Sequence, residues 1–161
     1  MKLQMMSRVS LGAWVFVATV LCTSGCSLDR TAVDTTASIL GRGESVARSY
    51  FDWESAGYAS PAGIIQFEGM HLISPENEEL TLSLVKSYMA YAYGWVMDSY
   101  EIADQAGDMD LADHHKYRAH LMYSRARDLA LRVVARRDPN VRKELERDPK
   151  SLAEYLRRQF T

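Results

Sequence analysis

The chain has 161 residues, 47% of them hydrophobic and 25% charged, a balance that excludes a disordered, collagenous or multi-pass membrane protein and fits one globular domain. Nine glycines and four prolines are too few for many short strands and tight turns, so the composition predicts an all-α fold. A formal charge of -2 supplies no positive field to gather nucleic acid, and the two cysteines, Cys22 and Cys26, leave none in the body for a disulfide or a Cys-rich metal motif.

Lys2 and Arg8 flank a polar start, and Val9 to Leu21 reads VSLGAWVFVATVL, an apolar run of thirteen residues. That is too short to span a bilayer comfortably and suits the core of a secretory signal. Thr23-Ser24-Gly25-Cys26 follows, small residues leading to a cysteine, which resembles a bacterial lipobox. Residues 1–25 are therefore expected to be a lipoprotein signal peptide and Cys26 the lipidation site. Leu21 is too bulky a neighbour for cleavage at Cys22. Ser27 is not the aspartate that retains many lipoproteins at the inner membrane, so the expected place is the outer membrane, facing the periplasm. Cleavage would leave 136 residues with 17 basic and 21 acidic side chains, a charge of -4 and enough chain for one modest core. Two or more acyl chains hold a protein stably at a bilayer, so the body itself need not touch lipid.

Residues 26–43 are short-sided and polar, with glycines at 41 and 43, and predict a tether with one short helix at its centre. Residues 44–161 are expected to form one helical domain. Its first element is a short helix over Glu44 to Trp53, broken by Gly57 to Pro61. From Pro61 onward Ile64, Phe67, Met70 and His71 recur at helical spacing. Ser74-Pro75 then reads as the cap and first residue of a new helix.

That helix, Pro75 to about Gln105, carries two neighbouring apolar stripes: Leu80, Leu84, Tyr88, Tyr91, Trp95 and Ile102, and Leu82, Val85, Met89, Ala92, Val96 and Ala103. So wide an apolar arc implies packing on two sides. Ala106-Gly107-Asp108 supplies a turn, and a second long helix runs from about Met109 to Arg137 with Leu111, His115, Ala119, Met122, Ala126, Leu129 and Val133 on one face. Together they predict a central long antiparallel hairpin. Its register would bring Glu76, Glu78 and Glu79 beside Arg132, Arg136 and Arg137, and Asp98 and Glu101 near His114, Lys116 and Arg118. Asp138-Pro139 ends the second helix and Asp148-Pro149 a short one after it. A last helix, Lys150 to Phe160, would turn Leu152, Tyr155, Leu156 and Phe160 inward. Helix pairs punctuated by proline turns resemble tetratricopeptide arrays without a strict 34-residue repeat, so the expectation is a TPR-like helical hairpin array.

Asp108 to His120 holds three acids and three histidines, but His114 and His115 point about 100° apart on a helix and no histidine pair sits four residues apart. A solvated helix start with a half-buried His115 is expected there, and no metal site. Tyr88, Tyr91, Tyr93 and Trp95 either pack the hairpin or line a ligand path, since such rings offer apolar faces with polar tips. Tyr93 lies between the stripes and is the one least explained by packing. No serine elbow, phosphate-binding glycine loop or catalytic cysteine is present, so no enzyme and no cofactor are expected.

The order of several features resembles the T component of the TPR-associated TRAP transporters, a family of periplasmic lipoproteins. Cys26-Ser27-Leu28 precedes a small-residue helix and Gly41-Arg42-Gly43. Ser74-Pro75-Glu76-Asn77 then leads a long helix with YMAYAYGWV at Tyr88 to Val96, and RAHLMYSRARDLALRVV runs from Arg118 to Val134, where Tyr123, Arg125, Ala126, Arg127 and Ala130 look like the family's second hairpin helix. The resemblance covers most of residues 26 to 160. Family members usually run on with further helices, so it implies a domain without the C-terminal half usual there. It also implies a TPR-like binding or adaptor subunit that works with a periplasmic solute-binding receptor to import small ligands, hydrophobic ones included. Self-association stays open. The alternative is a TPR-like lipoprotein scaffold for envelope assembly that binds peptide segments.

Overall fold

The computed structural model describes residues 25–43, 46, 49–146 and 148–160, and every regular element among them is helical. The expected signal peptide, Gly25 excepted, lies outside the described residues, as do residues 44, 45, 47 and 48 of the short helix expected before Trp53. No described helix is long and apolar enough to cross a membrane.

Helix α1 (Gly25–Arg42) is longer than the short helix expected in the tether. Thr35 and Thr36 donate to the carbonyls of Thr31 and Ala32, and Ala37 is buried. A tertiary contact anchors the helix: Asp34 Oδ1 accepts bonds from Ser74 Oγ at 2.6 Å and Asn77 Nδ2 at 2.7 Å. Helical order in so polar a segment draws on such packing and not on propensity alone.

Helix α2 (Trp53–Ile73) starts at Asp52, whose carboxylate accepts from the Ser55 amide and hydroxyl. It runs through Gly57 and Pro61, correcting the break expected there. An interior proline removes one backbone bond and crowds the preceding turn. Here Ile64 and His71 are buried, Phe67 joins the core, and a tryptophan from the neighbouring helix lies on Gly57, so packing along the inner face outweighs that local cost. Ser74 ends α2 rather than capping the next helix, its amide bonded to Met70 O and its hydroxyl taken by Asp34. Asn77 is the cap instead, accepting from the Leu80 amide at 2.9 Å.

From Asn77 the chain forms one long rod: helix α3 (Glu78–Tyr91), a π turn (Ala92–Val96) and helix α4 (Met97–Ala106). Gly107 ends it with φ 77°, a left-handed conformation that glycine adopts without steric cost, while the Asp108 amide reaches back to Ala103 O. Asp108 then caps helix α5 (Met109–Arg137) through the Leu111 amide.

The rod and α5 form the expected antiparallel hairpin, and α2 packs against α3. At the open end Arg136 bonds the carbonyls of Pro75 and Glu76 and lies 3.2 Å from the Glu76 carboxylate, and Arg137 pairs with Glu78. At the turn end no ion pair joins Asp98 or Glu101 to His114, Lys116 or Arg118 among the described residues; Arg118 lies instead 3.4 Å from His115 Nδ1. Ile64, Leu84 and Leu129 form the centre of the core, with Phe67, Val85, Tyr88 and Tyr91 around them. Towards the turn, Ala103, Ala112 and Ala119 are buried, small side chains that let the two helices approach closely. Of the face expected on α5, Ala119, Ala126, Leu129 and Val133 are buried, whereas Leu111 is exposed and Ala112 is buried beside it. Helices α6 (Val141–Leu145) and α7 (Pro149–Phe160) close the described chain, and buried Tyr155 donates its hydroxyl to Asp138 at the end of α5.

Candidate functional site

The sequence AYGWV at 92–96 widens the rod by one residue per turn, with the Met97 amide bonded five residues back to Ala92 O. Such π turns often mark functional sites because they re-aim side chains within a helix. Here Ala92 and Val96 stay buried, while Tyr93 points outward and is 77% exposed. Trp95 reaches across to the start of α2. Its ring stacks on Trp53 with centroids 4.3 Å apart and on Tyr91 at 5.8 Å, and its Nε1 donates to Trp53 O at 3.2 Å.

Two glycines make this stack fit. A Cβ on Gly57 would stand 2.5 Å from Trp95 Nε1, and one on Gly94 would stand 3.1 Å from Trp53 Cη2. Each tryptophan thus lies on the other helix's glycine, locking α2 to the π turn with little polar bonding. Trp53 remains exposed, so the stack presents an aromatic ledge to solvent, with Tyr50 and Phe51 just before it in the chain. On the α5 side Tyr93 lies within electrostatic reach of Tyr123, whose phenol is pushed up by burial first and by Tyr93 second.

Below the ledge, towards the α2–α3 loop, lies a polar cluster. Arg125 of α5 grips Glu68 of α2 with two bonds, Nε to Oε1 at 2.7 Å and Nη2 to Oε2 at 2.6 Å. Tyr88 of α3 donates to the same carboxylate at 3.0 Å. One side chain from each of the three helices therefore meets at a single point. The bonds from Arg125 hold the Glu68 carboxyl below the ordinary range, against the opposing effect of burial. Burial, then the bond to Glu68, pushes the Tyr88 phenol up. One turn further, His71 is buried with Nδ1 3.4 Å from Thr81 Oγ1, and burial lowers its pKa. Glu68 opposes that shift, and Arg125, Arg132 and Arg136 reinforce it.

The structure divides the four aromatic candidates. Tyr91 and Trp95 share the stack, Tyr88 serves the Glu68 cluster, and Tyr93 alone faces outward. Cys26 is the second residue of α1, and its side chain lies outside the described residues. In the Asp108 to His120 stretch His114 and His115 meet edge to face at 5.4 Å, and no group of three or more His, Cys, Asp or Glu among the described residues is arranged to hold a metal. Sequence reading missed Trp53, Gly57, Gly94 and Glu68. Trp53 and Trp95 lie 42 residues apart and Glu68 and Arg125 57 apart, so no local spacing announces either contact.

The arrangement offers aromatic surface with polar tips above a satisfied ionic clamp. That suits docking or apolar contact. Neither the curated proteins nor the solved structures searched give a match. The family model of the TRAP transporter T-component matches residues 51–160, from the residue before the α2 cap to the end of α7, and takes in the ledge and the clamp alike. The chain belongs to the TRAP transporter T-component family, a family of transport components and not of enzymes.

Proposed function

We propose that this chain is a binding or adaptor subunit of a TRAP-type tripartite importer, a periplasm-facing lipoprotein that docks a periplasmic solute-binding receptor and takes part in handling a small ligand, hydrophobic ones included. The observation that carries the reading is the family match over 51–160. Two further features support it. Cys26 follows small residues after a signal-like run, consistent with acylation and attachment to the outer membrane. The π turn leaves Tyr93, and the stack beside it leaves Trp53, open to solvent on a braced helical body, the form in which aromatic anchors contribute most to association.

The test is affinity purification of the full acylated chain from its native envelope. The expected result is recovery of a solute receptor together with the membrane subunits of the importer. Recovery of assembly factors alone, with no receptor, would favour the scaffold reading. Cys26→Ser is expected to release the protein from the membrane or leave the precursor uncleaved. If Cys22→Ser has that effect and Cys26→Ser does not, the anchor assignment is wrong.

A further inference from the structure

Charge is unevenly divided between the two ends of the hairpin. From Ser87 to His115, a stretch that takes in the hairpin turn, the chain carries six acidic residues and no lysine or arginine, and all six are exposed. From Arg118 to Phe160 it carries twelve lysines and arginines against six acids. Helices α6 and α7 fold against the open end of the hairpin, where Tyr155 reaches Asp138, and they present Arg142, Lys143, Lys150, Arg157 and Arg158 to solvent. Several acids at that end are engaged within the chain. Glu76 and Glu78 pair with Arg136 and Arg137, Asp138 takes the Tyr155 hydroxyl, and Asp148 accepts from the Ser151 amide at the start of α7. Glu79, Glu146 and Glu154 stay exposed, fewer than the cations.

Helix α1 shows which way this cationic end faces. Asp34 meets Ser74 and Asn77 at the α2–α3 loop, and farther along α1 Gly41 lies against Glu79 and Ser83 of α3, a Cβ there standing 3.1 Å from Glu79 Oε1. The helix therefore runs beside α3 in the same direction, from the loop towards the π turn. Its residues before Asp34 project the opposite way, past the loop and out of the open end. Cys26 precedes Asp34 on the same helix and stands about 12 Å farther out along that line, at 1.5 Å per residue. The hairpin turn lies at the other end of the rod, about 40 Å away. Held by Asp34, α1 is a strut and not a loose tether, so the anchor residue and the exposed cations belong to one end of the molecule.

We propose that the open end of the bundle is a membrane-facing surface, on which the exposed arginines and lysines of α6 and α7 meet anionic lipid headgroups beside the acyl chains of Cys26. The inference rests on the lipoprotein reading above and adds to it an orientation and a headgroup chemistry. Each basic side chain near an anionic leaflet strengthens attachment about fivefold. Leu145 and Leu156, exposed among the cations, suit the boundary between headgroups and acyl chains. In this orientation the six acids around the hairpin turn point away from anionic lipid, and the aromatic ledge stands clear of the bilayer, open to a soluble partner.

The experiment uses the full chain, acylated in its native envelope, purified and placed in vesicles of phosphatidylcholine with or without phosphatidylglycerol. With the Cys26 thiol taken by lipid, an added cysteine carries a fluorophore, at Leu145→Cys on α6 or at Gln105→Cys beside the hairpin turn, and the lipid carries a headgroup quencher. Strong quenching is expected from 145 and almost none from 105, with phosphatidylglycerol increasing the first at low salt. Arg142→Gln, Lys143→Gln, Lys150→Gln and Arg158→Gln together should abolish that increase and leave the helical melting transition in place, since all four side chains are exposed. A photo-crosslinker at 145 in the native envelope is expected to capture phospholipid. Absence of acyl mass on Cys26 overturns the anchor reading and this inference together. In the acylated chain, equal quenching at both positions, stronger quenching at 105, a signal at 145 indifferent to phosphatidylglycerol or to the glutamines, or capture of an acidic protein in place of lipid overturns the membrane-facing surface alone.

Discussion

The two ends of the α2–α3 pair are held by opposite chemistry. Near the connecting loop the joints are polar: Glu68 to Arg125 and Tyr88, Asp34 to Ser74 and Asn77, Arg136 to the loop carbonyls. At the π turn the joint is a tryptophan pair on two glycines with one indole bond. A polar joint is directional and pins three helices in one arrangement, whereas stacked rings hold two helices together and still show a face to a partner. The comparison teaches that the bundle is joined at both ends, by directional polar bonds at one and at the other by stacked rings that leave an aromatic face open.

Removing the cation from the polar end should have the largest effect. Arg125→Met leaves the Glu68 carboxylate half-buried with only Tyr88 as a strong donor, and the expected loss is about 2 kcal/mol in urea denaturation. Pairing it with Glu68→Met should recover part of that loss, because no charge is then stranded. If Arg125→Met alone is neutral, the clamp is ornamental and the contrast between the ends fails.

At the aromatic end Gly57→Ala would force a Cβ to 2.5 Å from Trp95 Nε1. Its expected cost is about 1 kcal/mol, since strain from overpacking is partly offset by the better helix propensity of alanine. The signature is spectroscopic: tryptophan emission should shift as the Trp53–Trp95 stack opens. An unchanged spectrum with unchanged stability would show that the two helices are not locked there.

Acid should weaken the polar end through two groups in sequence. Burial lowers the pKa of His71, so the unfolded chain binds more protons than the folded one below the unfolded imidazole value of about 6.5. Stability is therefore full above that pH and declines as pH falls beneath it. Glu68, with its pKa depressed by Arg125, contributes stability above its unfolded value of about 4.3 and loses it as pH falls through the folded one. His71→Gln is expected to remove the first decline and keep the second, read from urea midpoints between pH 7 and pH 3.

The hairpin was legible in the sequence because its signals are local or repetitive: the stripes on 75–105 and 109–137, the Gly107 turn, and the acids and arginines at the open ends. Its charge register held at Glu76 and Glu78 and lapsed at Asp98 and Glu101, where side chains at the exposed turn end gain little from pairing. Pro61 misled because a local breaker was outweighed by packing spread over the whole inner face of α2. Ser74 misled because its hydroxyl was already claimed by Asp34, forty residues away. Of the aromatic candidates, the sequence singled out Tyr93 as poorly explained by packing, and it is the exposed one. The π turn that exposes it has no sequence signal apart from the interlock of Gly94 with Trp53, which only the fold brings together.

The smallest expected effect on stability is that of Tyr93→Ala, within about 0.5 kcal/mol, as for other exposed positions. It also tests the central proposal, that the polar end fixes the arrangement of the helices and the aromatic end meets a partner. Full chains carrying Tyr93→Ala or Arg125→Met are compared with the wild type for their urea midpoints and for recovery of the solute receptor from the same envelope. The account predicts that Tyr93→Ala keeps its midpoint and loses the receptor, while Arg125→Met lowers the midpoint and keeps the receptor wherever it is folded. Full receptor recovery with Tyr93→Ala, together with its loss in folded Arg125→Met, would contradict it.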